Sequence, residues 1–397
     1  CQALNSYPST AVEMETTCDG HVGVSTVAMR QNHPGSRSGG VPMQFGILDL
    51  VDWHPGTMTQ EERYQQVIDL AVVAEDLGFD TYWVGEHHFS HYVSPHPAIL
   101  LAAIAARTRR IRIGTSVVLA AHHDPLRLAE DYAMVDVISG GRLDLVVGRG
   151  LFLQGYRGYQ VAFESVRGRL EEAIAVMRRA WQESPFSFTG AVRVFDQIEV
   201  QPRPLQQPHP PLWVAGGRSL DTVDYAAREG LNLALPQLMG PPSTFQPTVD
   251  RYRERLAESG RDPAAYRLSV GQHAWVAPSH AEALDDWRES YPRYTKMVAD
   301  EMQEDLYAGT ELEEVAKRTR QAATVPADRL LKGVSALGTP EHVAARICEA
   351  WDTLRMDHHW ACFNLGGIPT AKLTSAMQLY ARNVIPAVAR RVDGLGS

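Results

Sequence analysis

From Gln44 onward the chain alternates short apolar runs with longer stretches whose apolar positions recur every three or four residues. That alternation marks parallel strands joined by crossover helices. Residues 45–50 predict a first strand and 60–77 a first helix, with Val67, Leu70, Ala71, Ala74 and Leu77 on one face and Gly78 as its stop. Residues 81–84 are the second strand. The cycle repeats through a helix over 97–108, a strand over 111–119, a helix over 125–138 and a strand over 143–147. Pro125 in a first helical turn and Ser139-Gly140-Gly141 after the last apolar position are the expected start and stop signals.

A helix over 165–181 follows, then an irregular hairpin-like insertion over 186–200, a fifth strand over 211–215, a helix over 220–228 and a sixth strand over 231–235. A helix over 245–259 leads to a seventh strand over 268–276. Residues 279–334 are long, polar and helix-rich, with clustered acids at Glu311, Glu313 and Glu314, and read as an excursion over one end of the sheet. An eighth strand at 360–365 and a last helix over 372–388 complete the pattern. Strands alternating with helices throughout predict an α/β fold, a (β/α)8 TIM barrel with insertions near its C-terminal mouth; an open doubly wound sheet is the alternative. Residues 1–42 break the pattern with a linker-like tract at 32–40, and are expected to be a flexible N-terminal extension ahead of one domain over 43–397.

Barrel enzymes keep their chemistry at the C-terminal ends of their strands. The second strand ends in Gly85-Glu86-His87-His88-Phe89. An acid and two imidazoles there can move protons near neutral pH, although the same residues can also simply solvate a loop. A metal hydrolase built on Glu86, His87 and His88 is disfavoured, because adjacent side chains of an extended segment point to opposite sides, and no metal is expected. The fourth strand ends in Gly148-Arg149-Gly150-Leu151-Phe152 and the fifth in Gly216-Gly217-Arg218-Ser219. Glycines that admit close backbone approach, a guanidinium fork and a helix start suit an oxyanion such as phosphate, where the plain alternative is a tight turn. Trp53, Tyr92 and Phe152 are candidate linings for an apolar substrate pocket.

Composition narrows the field. A net charge of -9 argues against nucleic acid. Cys1, Cys18, Cys348 and Cys362 form neither a metal-finger pattern nor a disulfide framework, so a reducing cytoplasm is expected. No apolar run is long enough to span a membrane. The glycines give neither a Walker loop nor a dinucleotide fingerprint, so nicotinamide binding is not signalled.

Taken in order, several segments resemble the bacterial luciferase-like family of flavin-dependent monooxygenases. They are Gly78-Phe79-Asp80-Thr81 leading to Glu86-His87-His88-Phe89, Ile113-Gly114-Thr115, Asp124-Pro125-Leu126-Arg127-Leu128-Ala129-Glu130-Asp131, Ser139-Gly140-Gly141-Arg142-Leu143 and Gly148-Arg149-Gly150-Leu151. Each is weak alone, and together they are specific.

The resemblance implies a barrel that binds reduced FMN (FMNH2) at its mouth, forms a flavin peroxide with O2 and oxygenates a small organic substrate. A separate NAD(P)H:flavin reductase would supply the flavin, and a homodimer would form through helices early in the barrel. Carried over by position, His87 is the catalytic histidine, with Glu86 beside the flavin and, with His88, holding its ring and tautomer. Arg149 and Arg167 are phosphate ligands, Gly216, Gly217 and Ser219 line the phosphate, and Ser116, Leu151 and Phe152 belong to the cofactor site. A non-proline cis peptide is expected at Ser116-Val117. This chain departs from luciferase in having Gly148 for a reactive cysteine, and Gly216 and Gly217 for an acid and a serine, which puts light emission in doubt but not flavin binding. A deazaflavin-dependent hydride-transfer enzyme of the same superfamily and a non-catalytic flavin-binding protein are the alternatives.

Overall fold

A computed structural model describes residues 42–217, 219–236, 240–323 and 335–393; the expected extension over 1–42 lies outside them except for its last residue. Strand follows helix as the sequence predicts. The strands are β1 (Gln44–Asp49), β2 (Thr81–Val84), β3 (Arg112–Val118), β4 (Leu143–Val147), β5 (Phe186–Thr189), β6 (Val194–Ile198), β7 (Leu212–Ala215), β8 (Asn232–Pro236), β9 (Leu268–Val276), β10 (Ala336–Gly338) and β11 (His358–Cys362). Pairing runs β9-β11-β1-β2-β3-β4-β7-β8, all parallel, and the β8–β9 pairing closes the ring. The result is a closed eight-stranded (β/α)8 barrel, not an open sheet. β5 and β6 form a separate antiparallel hairpin, and β10 pairs with the far half of β9.

Local chemistry explains where helices begin and end. Thr59 caps helix Gln60–Asp76 in a reciprocal box with Glu62. Asp124 caps helix Pro125–Ser139, whose first position is proline, and Gly140 ends it at φ 72°, a left-handed conformation that glycine adopts without penalty.

The barrel interior is filled by pairing large side chains with absent ones. Trp83, Trp213 and His358 cluster, with ring centroids of Trp83 4.6 Å from His358 and 5.9 Å from Trp213. A Cβ on Gly114 would lie 2.8 Å from Trp83, and one on Gly46 would overlap Thr81. The polar atoms of His358 are satisfied, with Thr81 Oγ1 and Ser269 Oγ each 2.8 Å from a ring nitrogen.

At the C-terminal end of β1 a fully buried guanidinium takes over. Arg63 reaches from helix Gln60–Asp76 to pair with Asp49 and donates to the carbonyl of Asp52 at 2.9 Å. Burial would lower its pKa, but the charges of Asp49 and Asp52 outweigh that and raise it. The segment after β1 then hydrogen-bonds the segment after the Glu86 loop: Val93 N–H to Val51 O at 2.9 Å, and Trp53 N–H to His91 O at 2.8 Å. So the buried ion pair underlies the wall of the mouth.

Candidate active site

Glu86, His87 and His88 lie just past the end of β2, at the C-terminal mouth. They do not act as one cluster. Glu86 is buried, and its Oε1 lies 2.7 Å from His88 Nε2 and 2.6 Å from His123 Nε2, while Oε2 accepts the Leu119 N–H at 3.1 Å. Burial alone would raise this carboxyl, but the bonds from His123 and His88 outweigh it and hold it at about 2. His88 is anchored on its other side by Tyr159, whose hydroxyl lies 3.1 Å from Nδ1.

His87 turns elsewhere. Its ring stacks on Tyr92 at 4.0 Å, with Phe152 at 5.4 Å, and its Nδ1 is buried without a protein partner. The expectation that Glu86 and His88 hold the His87 ring is therefore corrected: both are engaged with each other and His123, and packing orients His87. Burial pulls the His87 imidazole down to about 4, with the nearby Glu86 charge opposing only in part, so the ring is neutral near pH 7.

A cleft of about 450 Å³ opens beside this ring, lined among others by Tyr64, His87, Phe89, Tyr92 and Glu301. Such a volume suits a small organic molecule. Of the expected aromatic lining, Tyr92 is in place, and Phe152 packs on it with ring centroids 5.6 Å apart. Trp53 instead donates to the Met58 carbonyl at 2.8 Å within its own loop.

The anion candidates occupy neighbouring strand ends, and both cations already have carboxylate partners. Arg149 pairs with Glu311 of the excursion, and Arg167 with Asp221 in the first turn of helix Leu220–Glu229. Ser219 leaves the start of that helix without a side-chain cap. Among the described residues no atom beyond its chain neighbours lies within 4 Å of where a Cβ on Gly217 would stand. Two of the three glycine departures stand at close contacts: a Cβ on Gly148 would lie 2.9 Å from Val117 Cγ2, and one on Gly216 2.9 Å from Leu233, while Gly217 has no such neighbour among the described residues. Ser116 sits in β3 beside a cis peptide at Ser116-Val117, where one was expected.

The excursion does lie against the mouth. Glu301 accepts from the His91 N–H at 3.1 Å and the Gln154 amide at 2.9 Å, and the Tyr307 hydroxyl donates to Leu151 O at 3.0 Å. It also brings Tyr294 to Tyr92, with hydroxyls 3.3 Å apart, and Tyr294 stands edge-on to His273. Sequence reasoning passed over His123, Tyr159, Tyr294 and His273. The pair His122-His123, a second double histidine just past a strand end, was the available signal for the first.

Among the described residues, buried polar atoms without a partner include His87 Nδ1, both ring nitrogens of His122, both amide atoms of Gln272, His273 Nε2 and Asn364 Oδ1. Each such atom left unpaired costs about 1–3 kcal/mol. His87 and His122 follow β2 and β3, Gln272 and His273 stand on β9, and Asn364 follows β11, so many of these atoms belong to strands that share the mouth. Those of them that face the mouth are the kind of atom with which a planar heteroaromatic group rich in donors and acceptors would pair.

The model of the luciferase-like monooxygenase family matches residues 43–358. The chain belongs to that family. A flavin-dependent trigonelline monooxygenase, oxygenase component, of Acinetobacter baylyi is 29% identical over 244 residues, 61% of this chain and 67% of the relative. The monooxygenase RslO1 of Streptomyces bottropensis superposes with a TM-score of 0.75 at 28% identity, covering 87% of this luciferase-like chain and 99% of its own. The oxygenating constituent of 3,6-diketocamphane monooxygenase of Pseudomonas putida, solved with FMN, gives 0.73 at 18% identity over 87% of this chain and 99% of its own, a likeness of fold. Among the described residues no helix of this luciferase-like monooxygenase is long and apolar enough to cross a membrane.

Proposed function

We propose that this flavin-dependent monooxygenase is the oxygenase half of a two-component system. It takes reduced FMN from a separate NAD(P)H:flavin reductase and uses O2 to oxygenate a small aldehyde, ketone or aromatic polyketide-like substrate. The observation that carries the reading is the set of unpartnered polar atoms on the strands of one barrel mouth, in a chain of this family. Likeness to an oxygenase component supports the separate reductase. Reduced FMN, when bound, supplies the two electrons that dioxygen chemistry requires.

The residues divide the remaining work. Arg149 and Arg167, with Gly216, Gly217 and Ser219, hold the phosphate; Ser116, Leu151 and Phe152 border the ring. His87, neutral and with Nδ1 free, accepts or returns one proton at the mouth. Glu86 and His88 keep their loop in place from the other side. Tyr307 and Glu301 close the excursion over these groups and keep water out.

Glu311 must yield Arg149 to the phosphate, and that gives the test. Arg149→Ala is expected to weaken FMN by roughly 10- to 100-fold, the worth of a charge-assisted bond, and Glu311→Gln to tighten it. Fluorescence titration measures both. Unchanged affinity in Arg149→Ala would defeat the role given to Arg149, and binding only of a deazaflavin would defeat the FMN assignment and favour hydride transfer without oxygen.

The homodimer has its own support. Ile99, on helix Pro97–Arg107, and Met134, Val137 and Ile138, on the neighbouring helix Pro125–Ser139, are exposed. Apolar side chains grouped on paired helices mark an interaction face. Ile138→Glu is expected to turn a dimer into a monomer by light scattering, and a monomeric parent protein would refute the proposal.

A further inference from the structure

The mouth carries a second constellation that flavin chemistry does not use. Glu86, His88 and His123 present three donor atoms that all lie within 4.8 Å of one another. Two come from the loop after β2 and the third from the loop after β3. Both imidazoles aim Nε2 at the same carboxylate oxygen, at 2.7 and 2.6 Å. A cation held by two imidazoles and a carboxylate at about 2.0–2.2 Å keeps its tetrahedral donors roughly 3.3 Å apart, so modest side-chain adjustment converts the hydrogen-bonded arrangement into a coordinating one.

The supports behind each donor are those a metal site needs. His88 Nδ1 faces the Tyr159 hydroxyl at 3.1 Å, whose oxygen accepts a hydrogen bond from the Nδ1–H once Nε2 is coordinated. The second oxygen of Glu86 is fixed by the Leu119 N–H at 3.1 Å, and the backbone of His123 by Arg193 at 2.9 Å. The His123 side chain is 19% exposed and gives an ion its way in. His87 points away into the aromatic stack, so the objection to adjacent histidines sharing an ion applies to His87 and not to His123.

We propose that Glu86, His88 and His123 form a site for a borderline divalent cation of the zinc or cobalt class. Two nitrogens and one oxygen select such ions over magnesium or calcium. Coordination ties the loop after β2 to the loop after β3, one residue from His87, and so stiffens the segment that carries it.

The test uses the full-length protein, freed of metal by a chelator and without flavin. Zinc is titrated against a chromophoric competitor, and cobalt is added separately to record its visible spectrum. The expected result is one equivalent of zinc bound in preference to magnesium, a cobalt spectrum without a sulfur charge-transfer band, and at least about tenfold weaker binding in His123→Ala. His123→Gln, closer in shape, gives the same comparison should the alanine variant not fold. Failure of the parent protein to bind zinc, or equal binding by the His123 variants, would overturn the site, and neither result bears on FMN.

Discussion

His87→Ala is expected to lower product formation by about 10²–10⁴-fold, the usual worth of a positioned proton-transfer group, while FMN affinity stays close to that of the parent. The imidazole has no hydrogen bond from its Nδ1 and no salt-bridge partner among the described residues. Its place is set by Tyr92 and Phe152, so removing it deletes the proposed proton carrier and leaves the proposed phosphate ligands intact. Oxygen uptake by the variant should continue as hydrogen peroxide release, and product formation at the parent rate would sink the assignment.

The acid dependence follows from the same burial. The folded pKa of about 4 lies below the ordinary value of 6.5, so the unfolded chain takes up a proton before the folded one does. This group therefore costs stability as pH falls from 6.5 toward 4, and costs none above 6.5. His87→Ala should flatten that part of the stability profile, which denaturant melts at stepped pH measure.

Arg63→Met is expected to cost about 3–5 kcal/mol of stability, because it keeps most of the volume but leaves two carboxylates facing a buried site without their cation. Arg63 and Asp49 are each only 1% exposed, and the same guanidinium holds the Asp52 carbonyl. Adding Asp49→Asn should recover part of the loss. A single variant that unfolds within about 1 kcal/mol of the parent in urea would show the pair to be energetically idle. Since Asp52 bridges to Tyr92, on which His87 stacks, catalysis should suffer along with stability.

The barrel was legible in the sequence because most strands are buried runs framed by polar turns. β2, β4 and β9 match their expected bounds residue for residue, and β1, β3, β7 and β8 differ by one residue at one end or both. The eighth was expected at 360–365 but spans His358–Cys362, beginning on two histidines. Both are buried: His358 is satisfied by Thr81 and Ser269, and His359 meets Tyr380 through Nδ1. Helix Pro340–Leu354 and strand Ala336–Gly338 had no counterpart in the expected pattern. At the site, local motifs named Glu86, His87, His88 and Arg149, but not their partners. His123 and Glu311 are distant in sequence, and only closure of the barrel and folding of the excursion bring them to Glu86 and Arg149.

β9 runs past the barrel, and its outer half pairs with β10, Ala274 to Val276 lying beside Ala336 to Gly338. The Ala277 N–H donates to Gly338 O at 3.1 Å, so the chain leaves for the excursion and returns from it at one hydrogen-bonded junction. A segment whose two ends already meet can be lengthened, shortened or exchanged at little entropic cost to the scaffold. A foreign cap grafted between Ala277 and Ala336 would therefore keep the barrel closed while replacing the contacts that Tyr294, Glu301 and Glu311 make with the mouth.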